Sequence, residues 1–311
     1  MKKILVSGGA GYLGSVITGR LLEEGYQVTV LDNLHYRQNS LLGYCSHPNF
    51  EFVKGDVRDP ATLKSCLAQV DAVIWLAAIV GAGACDLDPQ LATSVNLDSV
   101  KLLNELRGRD QVVLFPCTNS GYGTTSGTAE CTEESPLNPI SLYGRTKVQG
   151  EQELLEAGNS ISLRLATVFG PSPRMRLDLL VNDFVYRAVT DGFLVLYEKD
   201  FMRNYVHVED VSDCFVYCLS NFESMKGEVF NLGLTEANCS KAQLAQLIKK
   251  QIPDLYIHYA ELGSDPDKRN YIVSNEKLRA KGFAAKRSIE LGIIQLQKAI
   301  KMLKASEYQN K

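Results

Sequence analysis

The stretch Ile4-Leu-Val-Ser-Gly-Gly-Ala-Gly-Tyr-Leu-Gly14 decides the fold of this 311-residue chain. A short apolar run leads into glycines at positions 8, 11 and 14, so a strand, a tight turn and a helix start follow one another. Glycines permit positive φ and let backbone N–H groups approach a pyrophosphate at the helix N-terminus. Given the strand before it and the amphipathic helix after it, the pattern predicts a dinucleotide site. A bare structural turn is the alternative.

Strand and helix patterns alternate through the first two-thirds of the chain. Apolar runs typical of buried parallel strands lie at Ile4–Ser7, Val28–Leu31, Phe50–Val53, Ala72–Ala77, Val112–Phe115 and Ile161–Leu165. Helical patterns lie between them at Tyr12–Glu24, Ala61–Ala68, Pro89–Arg107 and Ser141–Ala157. This order predicts an α/β fold, a doubly wound parallel Rossmann sheet with right-handed crossovers.

The pattern changes after Gly170-Pro171-Ser172-Pro173. We therefore assign residues 1–170 to a dinucleotide-binding Rossmann domain and residues 171–311 mainly to a smaller C-terminal α/β lobe that binds substrate. A helix near residues 208–221 is expected to return to the first domain. The lobe is expected to lie over the carboxyl ends of the main strands.

Composition limits the possible partners. The chain carries a net charge of -3, has a pI near 5.9 and is 45% hydrophobic, which gives no reason to expect nucleic acid or an anionic membrane as partner. No stretch approaches the roughly 18 apolar residues of a membrane span. The eight cysteines lack a C-x-x-C pair, so we expect no metal site and interpret them as buried thiols in a reducing cytoplasm.

Asp32 is the predicted selector of the cofactor. It ends the second strand and follows the glycines by about 20 residues, where a carboxylate binds the adenosine ribose hydroxyls. That carboxylate would repel a 2′-phosphate, and the next residue is Asn33 rather than arginine. NAD is therefore favoured over NADP, although Arg37 keeps NADP open.

Tyr143 and Lys147 form the predicted catalytic pair. They lie one helical turn apart and so share a face. A nearby ammonium makes it easier to ionise a phenol whose reference pKa is about 10, so Tyr143 is a candidate base for an alcohol. A solvated or half-packed tyrosine is the alternative, but the pair together with the glycines favours oxidoreduction.

The chain resembles the extended short-chain dehydrogenase/reductases, the NAD-dependent nucleotide-sugar epimerase and dehydratase family. The matching segments are Gly8–Gly14, Asp32-Asn33, Gly55-Asp56-Val57, Leu76-Ala77-Ala78, Tyr122-Gly123, Tyr143-x-x-x-Lys147 and Arg203-Asn-Tyr-Val-His207. A narrower set resembles the bacterial GDP-heptose 4-dehydrogenases of capsular heptose biosynthesis: Thr118–Gly123, Cys131–Pro136, Arg164–Gly170 and Asp265–Arg269.

The resemblance implies roles for individual residues. The cofactor would contact Gly8, Gly11, Tyr12, Leu13, Gly14, Asp32, Asn33, Asp56, Val57, Leu76, Ala77, Ala78, Asn96, Tyr143 and Lys147. Thr118 would bond the substrate oxygen, with Ser120 as a fallback, while Tyr143 takes the proton and Lys147 holds the nicotinamide ribose. The substrate would contact Thr118, Arg174, Arg176, Asn182, Arg203 and Arg269. His207 is expected to be a hydrogen-bonding core residue.

The residues beside Thr118 limit which family reactions are expected. Family 4,6-dehydratases carry an Asp-Glu pair where this chain has Asn119 and Ser120, so dehydration is disfavoured. Reductases that also epimerise need a cysteine and a histidine that are missing here. Thr167 also stands where many relatives have an asparagine for the substrate. Oxidation at carbon 4 remains, either as a dehydrogenase acting on GDP-D-glycero-manno-heptose or as a UDP- or GDP-sugar 4-epimerase.

Two other functional classes are possible, and the resemblance bears on the oligomeric state. A non-catalytic NAD-binding regulator and a structural subunit of a sugar-modifying complex are the alternatives to an enzyme. An intact Thr118, Tyr143 and Lys147 speak against the regulator. The resemblance also implies a homodimer, paired through helices Pro89–Arg107 and Ser141–Ala157.

Overall fold

The computed structural model describes residues 2–124, 130–261 and 270–303. The strands, in chain order, are β1 (Lys3–Ser7), β2 (Gln27–Asp32), β3 (Phe50–Lys54), β4 (Ala72–Trp75), β5 (Val112–Thr118), β6 (Glu130–Cys131), β7 (Ser160–Leu165), β8 (Thr167–Phe169), β9 (Phe193–Leu196), β10 (Met202–Arg203), β11 (Tyr205–His207), β12 (Val229–Leu232), β13 (Cys239–Ser240), β14 (Tyr256–Tyr259) and β15 (Ile272–Val273).

The helices are α1 (Tyr12–Glu23), α2 (Pro60–Leu67), α3 (Ala82–Leu87), α4 (Pro89–Thr93), α5 (Ser99–Leu106), α6 (Leu142–Ala157), α7 (Leu180–Thr190), α8 (Val208–Ser220), α9 (Phe222–Met225), α10 (Lys241–Gln251), α11 (Glu276–Ala280) and α12 (Ile289–Ile300). A π-helical turn at Ser94–Asp98 joins α4 to α5, so the predicted helix over 89–107 exists but is interrupted.

Seven parallel strands form the main sheet of the described residues, in the order β12-β7-β5-β4-β1-β2-β3. Its inner strands are buried on both faces: in β1, Ile4 and Val6 pack into one apolar cluster, while Leu5, between them, packs into another. Helices cover both faces, as a parallel sheet requires. The predicted doubly wound Rossmann fold is confirmed.

Two helices that matter for function begin at side-chain caps. The Ser141 hydroxyl accepts a hydrogen bond from Gly144 N (3.1 Å) and starts α6, which ends at Gly158 with a φ of 79°. Asp59 caps α2, with Pro60 in its first turn. These are the start and stop signals expected of helices.

The strand β12 was not predicted. Val229 to Leu232 pair in parallel with Ser162 to Leu165 and complete the main sheet from within the segment that the sequence analysis assigned mainly to the lobe. Helix α8 packs on α1, and Cys214 and Phe215 lie in the same apolar cluster as Ile4. The division into 1–170 and 171–311 therefore stays a prediction. Two segments after residue 170, α8 and β12, pack on or pair with elements of the first domain.

The remaining strands pair two by two, as β10-β13, β11-β8, β14-β9 and β15-β6. A second apolar cluster centred on α7, α10 and α12 forms the core of this C-terminal part, with Val185, Leu244 and Leu296 fully buried. Over the residues described, no helix is both long and apolar enough to span a membrane.

Candidate active site

One cavity of about 1240 Å³ lies where β1, β2, β4 and β5 end. It is lined from below by the Rossmann strands and from above by the segments around 174–183, Arg203, Lys241 and Tyr271. Most of the predicted site residues meet there: Gly8, Gly11, Tyr12, Leu13, Gly14, Asp32, Asn33, Asp56, Val57, Leu76, Ala77, Ala78, Thr118, Tyr143, Lys147, Arg174, Arg176 and Arg203.

The glycine turn fits a dinucleotide pyrophosphate. Gly8 has a φ of +71°, and a Cβ placed on it would lie 2.7 Å from the backbone nitrogen of Ala77. A Cβ on Gly14 would overlap the carbonyl oxygen of Gly8. The turn therefore requires glycine at both positions, and it leads into the α1 N-terminus, where backbone N–H groups and the helix dipole favour an anion.

Asp32 positions two loops while facing the cavity. One carboxylate oxygen accepts from Ala10 N (3.0 Å) and the other from Leu34 N (2.8 Å). Burial raises its pKa, and backbone hydrogen bonds together with Arg174 act in the opposite direction. Arg37, which had kept NADP open, is exposed and absent from the cavity wall, so the structure brings no cation from that position to a 2′-phosphate.

Asp56 is held ionised beside Asp32. Arg58 binds it through two hydrogen bonds of 2.9 and 2.8 Å, and Asn33 Nδ2 donates to it over 3.2 Å. The hydrogen bonds from Arg58 hold the pKa of the Asp56 carboxyl well below its usual range. A fixed carboxylate at this edge can accept a hydrogen bond from an amino group of the cofactor's base.

Helix α6 brings Tyr143 and Lys147 into the cavity wall on one face. Lys147 is almost fully buried, and its Nζ lies 3.8 Å from the centroid of the Phe115 ring. Burial lowers the pKa of this ammonium from 10.5 to about 8, while Cys117 and Glu151 act against that shift. The lysine is thus a desolvated cation one turn from a phenol, which is the electrostatic arrangement predicted from the Y-x-x-x-K spacing.

Thr118 ends β5 and also caps the turn that follows. Its hydroxyl oxygen accepts from Ser120 N (3.1 Å), and the hydroxyl donates to Ser120 Oγ (3.0 Å). Both side chains line the cavity, so the capping and the substrate roles are compatible. A Cβ on Gly144 would lie 3.5 Å from Ser120 O, which shows how closely α6 packs on this turn. The neighbouring Asn119 is fully buried and lies outside the cavity wall.

Asn96 requires a correction, because it was expected to line the cofactor pocket. The residue is buried in the π-helical turn behind the cavity wall. Its amide accepts from Ile79 N (2.8 Å) and donates to Ile79 O (3.0 Å) and to Thr146 Oγ1 (3.3 Å). It therefore fixes the loop after β4 to helix α6, and it does not face the cavity. The sequence reveals its presence but not the direction of its side chain.

Asn182 also supports the site from behind, where a substrate contact was predicted. The fully buried amide accepts from Gly170 N (3.0 Å) and donates to Arg176 O (2.9 Å) and to Tyr12 Oη (3.3 Å). Tyr12 in turn donates to Gly170 O (2.6 Å). These bonds tie the segment after β8 to the first turn of α1.

Arg174, predicted to contact the substrate, lines the cavity. Its guanidinium lies 4.7 Å from the centroid of the Tyr36 ring, in the loop after Asp32. Burial and the neighbouring Arg176 lower its pKa to about 10, and Asp32 and Tyr36 are among the groups that act against this. The structure thus brings Arg174 to the cofactor end of the cavity.

Arg176 and Arg203 stay at the predicted positions in the wall. Arg176 is buried, is paired with Asp178 (2.5 Å) and lines the same cavity as Tyr143. Arg203 is buried, donates to Met202 O (2.9 Å) and lies 5.7 Å from the Tyr271 ring centroid. Arg269 lies outside the described residues.

Several residues at this cavity were not predicted from the sequence. Tyr36, Asp178 and Lys241 line it, and Ser172 anchors its wall. None belongs to a recurrent motif; only their proximity in sequence to Asp32 and to Arg174 could have drawn attention to the first two. His207 is, as expected, a buried hydrogen-bonding residue: Nε2 lies 2.7 Å from Gln295 Oε1, and Nδ1 accepts from Glu209 N. No group of side chains in the described ranges could hold a metal ion.

Comparison with known proteins identifies relatives of the whole chain. A family model described as the NAD dependent epimerase/dehydratase family matches residues 4–233. The chain is 28% identical to the low-salt glycan biosynthesis protein Agl12 of Haloferax volcanii, over 93% of this chain and 96% of the relative. It is also 28% identical to a UDP-glucose 4-epimerase of Lactobacillus helveticus, over 85% and 87% respectively. Among solved structures it is similar to the Thermus thermophilus UDP-glucose 4-epimerase in complex with NAD, with a TM-score of 0.82 and 25% identity, over 96% of this chain and 99% of that one.

Proposed function

The chain belongs to the NAD-dependent epimerase/dehydratase family and is an NAD-dependent enzyme, and from this premise we propose that it oxidises the hydroxyl at carbon 4 of a nucleotide-linked sugar. The observation that carries the proposal is the wall formed by Thr118, Tyr143 and Lys147, with the lysine almost fully buried beneath the cavity. A site kept only for sensing NAD needs neither the phenol nor the desolvated ammonium.

Each of the three side chains has a defined task. The Thr118 hydroxyl can bond the reacting oxygen of the sugar, and the Tyr143 phenolate removes the proton from that oxygen. The Lys147 ammonium favours the phenolate because opposite charges attract strongly in a site from which water is excluded. The chemistry that NAD supplies when bound is acceptance of the hydride from the same carbon.

The environment of Thr118 supports oxidation without dehydration. Loss of water across two carbons needs an extra acid and base next to the reacting centre. The residue after Thr118 is Asn119, whose amide cannot serve as either and lies outside the cavity wall. Ser120 lines the cavity but is bonded to Thr118. The two positions after Thr118 therefore supply no carboxylate for dehydration, and Tyr143 is the proposed acid-base group for the alcohol.

For the sugar, we propose GDP-D-glycero-manno-heptose, which would place the enzyme in capsular polysaccharide synthesis. The support is the motif resemblance to GDP-heptose 4-dehydrogenases, which includes Thr118–Gly123 and Arg164–Gly170. The buried Arg203 in the cavity wall supports a diphosphate, since guanidinium binds phosphate oxygens in pairs. We keep the same role for Arg269 as a prediction.

A 4-epimerase is the second candidate. Its support comes from the relatives, several of which are described as UDP-glucose or UDP-arabinose 4-epimerases. Such an enzyme would use the same three side chains and return the hydride to the opposite face of the keto sugar. The two reactions therefore share the first step and differ in the fate of the ketone.

Mass spectrometry of the product separates the two candidates. Purified protein is incubated with NAD and, in parallel, with GDP-D-glycero-manno-heptose, UDP-glucose and UDP-galactose, while NADH absorbance is followed. Loss of two hydrogens from the heptose with NADH formation supports the dehydrogenase. Unchanged mass with a new 4-epimer by NMR supports the epimerase. No change with any sugar, under conditions where NAD binds, would contradict oxidation of these nucleotide sugars.

A further inference from the structure

Two loops meet over the glycine turn of the cofactor site. The first follows β2 and carries Tyr36, and the second follows β8 and carries Arg174. The Arg174 guanidinium lies 4.7 Å from the centroid of the Tyr36 ring. Both side chains line the same cavity as Gly8, Gly11 and Asp32. Segments separated by more than a hundred residues thus come together at the cofactor end of the cavity.

The first loop is anchored to the glycine turn and to the helix after it. The Ser40 hydroxyl donates to Ala10 O (2.8 Å), and the Tyr44 hydroxyl donates to Ser15 O (2.9 Å). Where the loop leaves β2, Asp32 accepts from Leu34 N. The base of this loop is therefore fixed on both sides of Tyr36.

The second loop is anchored to the same turn independently. Ser172 Oγ donates to Tyr12 O (2.8 Å) and lies 3.1 Å from Ser15 Oγ. The Tyr12 hydroxyl donates to Gly170 O (2.6 Å), and Asn182 accepts from Gly170 N. Because each loop is joined to the turn at its base, the contact between Arg174 and Tyr36 links the two loops at the cofactor end of the cavity.

We propose that the Tyr36–Arg174 contact is a clasp that retains NAD by slowing its release from the site. In this proposal a ligand seated on the glycine turn and Asp32 lies behind the contact, which must separate before that ligand leaves. The cation also faces the end of the cavity where the α1 N-terminus favours an anion. The proposal depends on the NAD dependence of the family and is independent of the sugar.

The contact is strong enough to affect release measurably. A cation over an aromatic face contributes more binding free energy when the pair is shielded from water than when it is exposed, and Arg174 is buried. Loss of the aromatic ring of Tyr36 should therefore accelerate NAD release by about 3- to 30-fold. The Tyr36→Phe variant keeps the aromatic ring, so it should release NAD at the wild-type rate.

A pulse-chase experiment tests the clasp without any sugar. Full-length protein is loaded with radiolabelled NAD, chased with excess unlabelled NAD, and the retained label is measured over time. The variants are Tyr36→Leu, Tyr36→Phe and Arg174→Gln, and Tyr256→Leu on an exposed strand is the matched control. Circular dichroism checks that each variant is folded.

The clasp predicts faster release for Tyr36→Leu and Arg174→Gln, and wild-type release for Tyr36→Phe and Tyr256→Leu. Wild-type release from both Tyr36→Leu and Arg174→Gln would overturn it. Faster release from Arg174→Gln alone would also overturn it, because the arginine would then act only through its charge. If Arg174→Gln does not fold, the comparison of Tyr36→Leu with Tyr36→Phe still decides. Since no turnover is measured, this result is separate from the proposed reaction.

Discussion

At the residue scale, the proposed reaction depends on two side chains that the Y-x-x-x-K spacing, together with the glycine turn, predicted as a pair. Tyr143 and Lys147 share one face of α6 and one cavity, and the lysine is desolvated against Phe115. The spacing predicts the shared face because a helix turns every 3.6 residues. It does not predict the burial, which depends on strands far away in sequence.

The first prediction concerns the proton transfer. Tyr143→Phe removes only the hydroxyl, so we expect turnover to fall by about 10²- to 10⁴-fold, the usual contribution of a positioned acid-base group. NAD binding should change little, since the ring remains in place. Steady-state kinetics and NAD titration check both. Turnover near the wild-type level would show that another group removes the proton.

The second prediction concerns the stability cost of Lys147. Since burial lowers its pKa to about 8, the folded cofactor-free protein holds fewer protons than the unfolded chain between about pH 8 and 10.5. Burying the charged ammonium lowers the free energy of unfolding by its full amount below about pH 8, and this destabilisation decreases as the pH rises through that window. Lys147→Met should therefore raise the free energy of unfolding at pH 7 by up to about 3 kcal/mol.

Chemical denaturation of both proteins from pH 7 to 10 measures this difference. We expect the advantage of the Lys147→Met variant to shrink as the pH rises, while its turnover is lost at every pH. A stability difference that stays constant with pH would contradict a desolvated ammonium. Lys101→Met, on the exposed part of α5, is the control and should show no such trend.

Other residues show where single-residue prediction fails. Arg174 was expected beside the substrate, yet it packs on Tyr36 at the cofactor end. Asn96 and Asn182 were predicted at the right elements, but their amides bond backbone groups behind the wall. Sequence indicates which residue type follows a strand. The direction of its side chain depends on backbone geometry and on partners from distant segments.

At the element scale, a buried ion pair holds α6 against the sheet. Arg164 in β7 bonds Glu151 in α6 (2.7 Å), and both side chains are almost fully buried. Ser162 donates to Glu151, and Arg164 Nη1 donates to the Tyr122 hydroxyl and to Glu133 O. Since α6 carries Tyr143 and Lys147, this network fixes the helix of the proposed catalytic pair on the neighbouring strand β7.

The third prediction follows from that burial. Arg164→Met leaves the Glu151 carboxylate buried without its partner, so we expect a loss of about 3 to 5 kcal/mol in unfolding free energy. The double variant Arg164→Met/Glu151→Leu should recover most of the loss, because no buried charge remains. Urea denaturation measures both. A double variant less stable than Arg164→Met would contradict the explanation.

Most elements of the first domain were predictable because their signals are local. Each predicted strand and helix up to residue 165 exists, with ends shifted by a few residues. Strand β12 was missed because Val229–Leu232 is short and pairs with β7, more than sixty residues earlier. Its place at the edge of the sheet is set by tertiary packing, which the local pattern does not contain.

At the scale of the whole molecule, we predict a homodimer paired through α5 and α6. The two helices pack side by side, with Asn104 Nδ2 donating to Glu153 O (3.0 Å). The outward stripe of α6, formed by Arg145, Gln149, Gln152 and Glu156, is exposed and polar. A symmetric interface would bring this stripe against its own copy.

The fourth prediction tests this pairing. Gln149→Lys/Gln152→Lys would place like charges across the two-fold axis, and we expect the dimer to dissociate at micromolar concentration. Light scattering with gel filtration measures the mass. Gln246→Lys/Gln251→Lys on α10 adds the same charge elsewhere and should leave the mass unchanged. A wild-type monomer would refute the homodimer, and an unaffected dimer would place the interface on another surface.

The central claim is that the hydrogen at carbon 4 of a nucleotide-linked sugar leaves as hydride under the control of Thr118, Tyr143 and Lys147. Its most direct test uses sugars deuterated only at carbon 4, GDP-D-glycero-manno-heptose first and UDP-glucose second, with mass spectrometry of the recovered cofactor. We predict deuterium in the reduced cofactor if the ketone is released, or deuterium retained at carbon 4 of the 4-epimer if the hydride is returned, and either product should form about 10²- to 10⁴-fold more slowly with Tyr143→Phe. Turnover of either sugar that leaves deuterium neither in the reduced cofactor nor at carbon 4 of the product would contradict oxidation at that carbon.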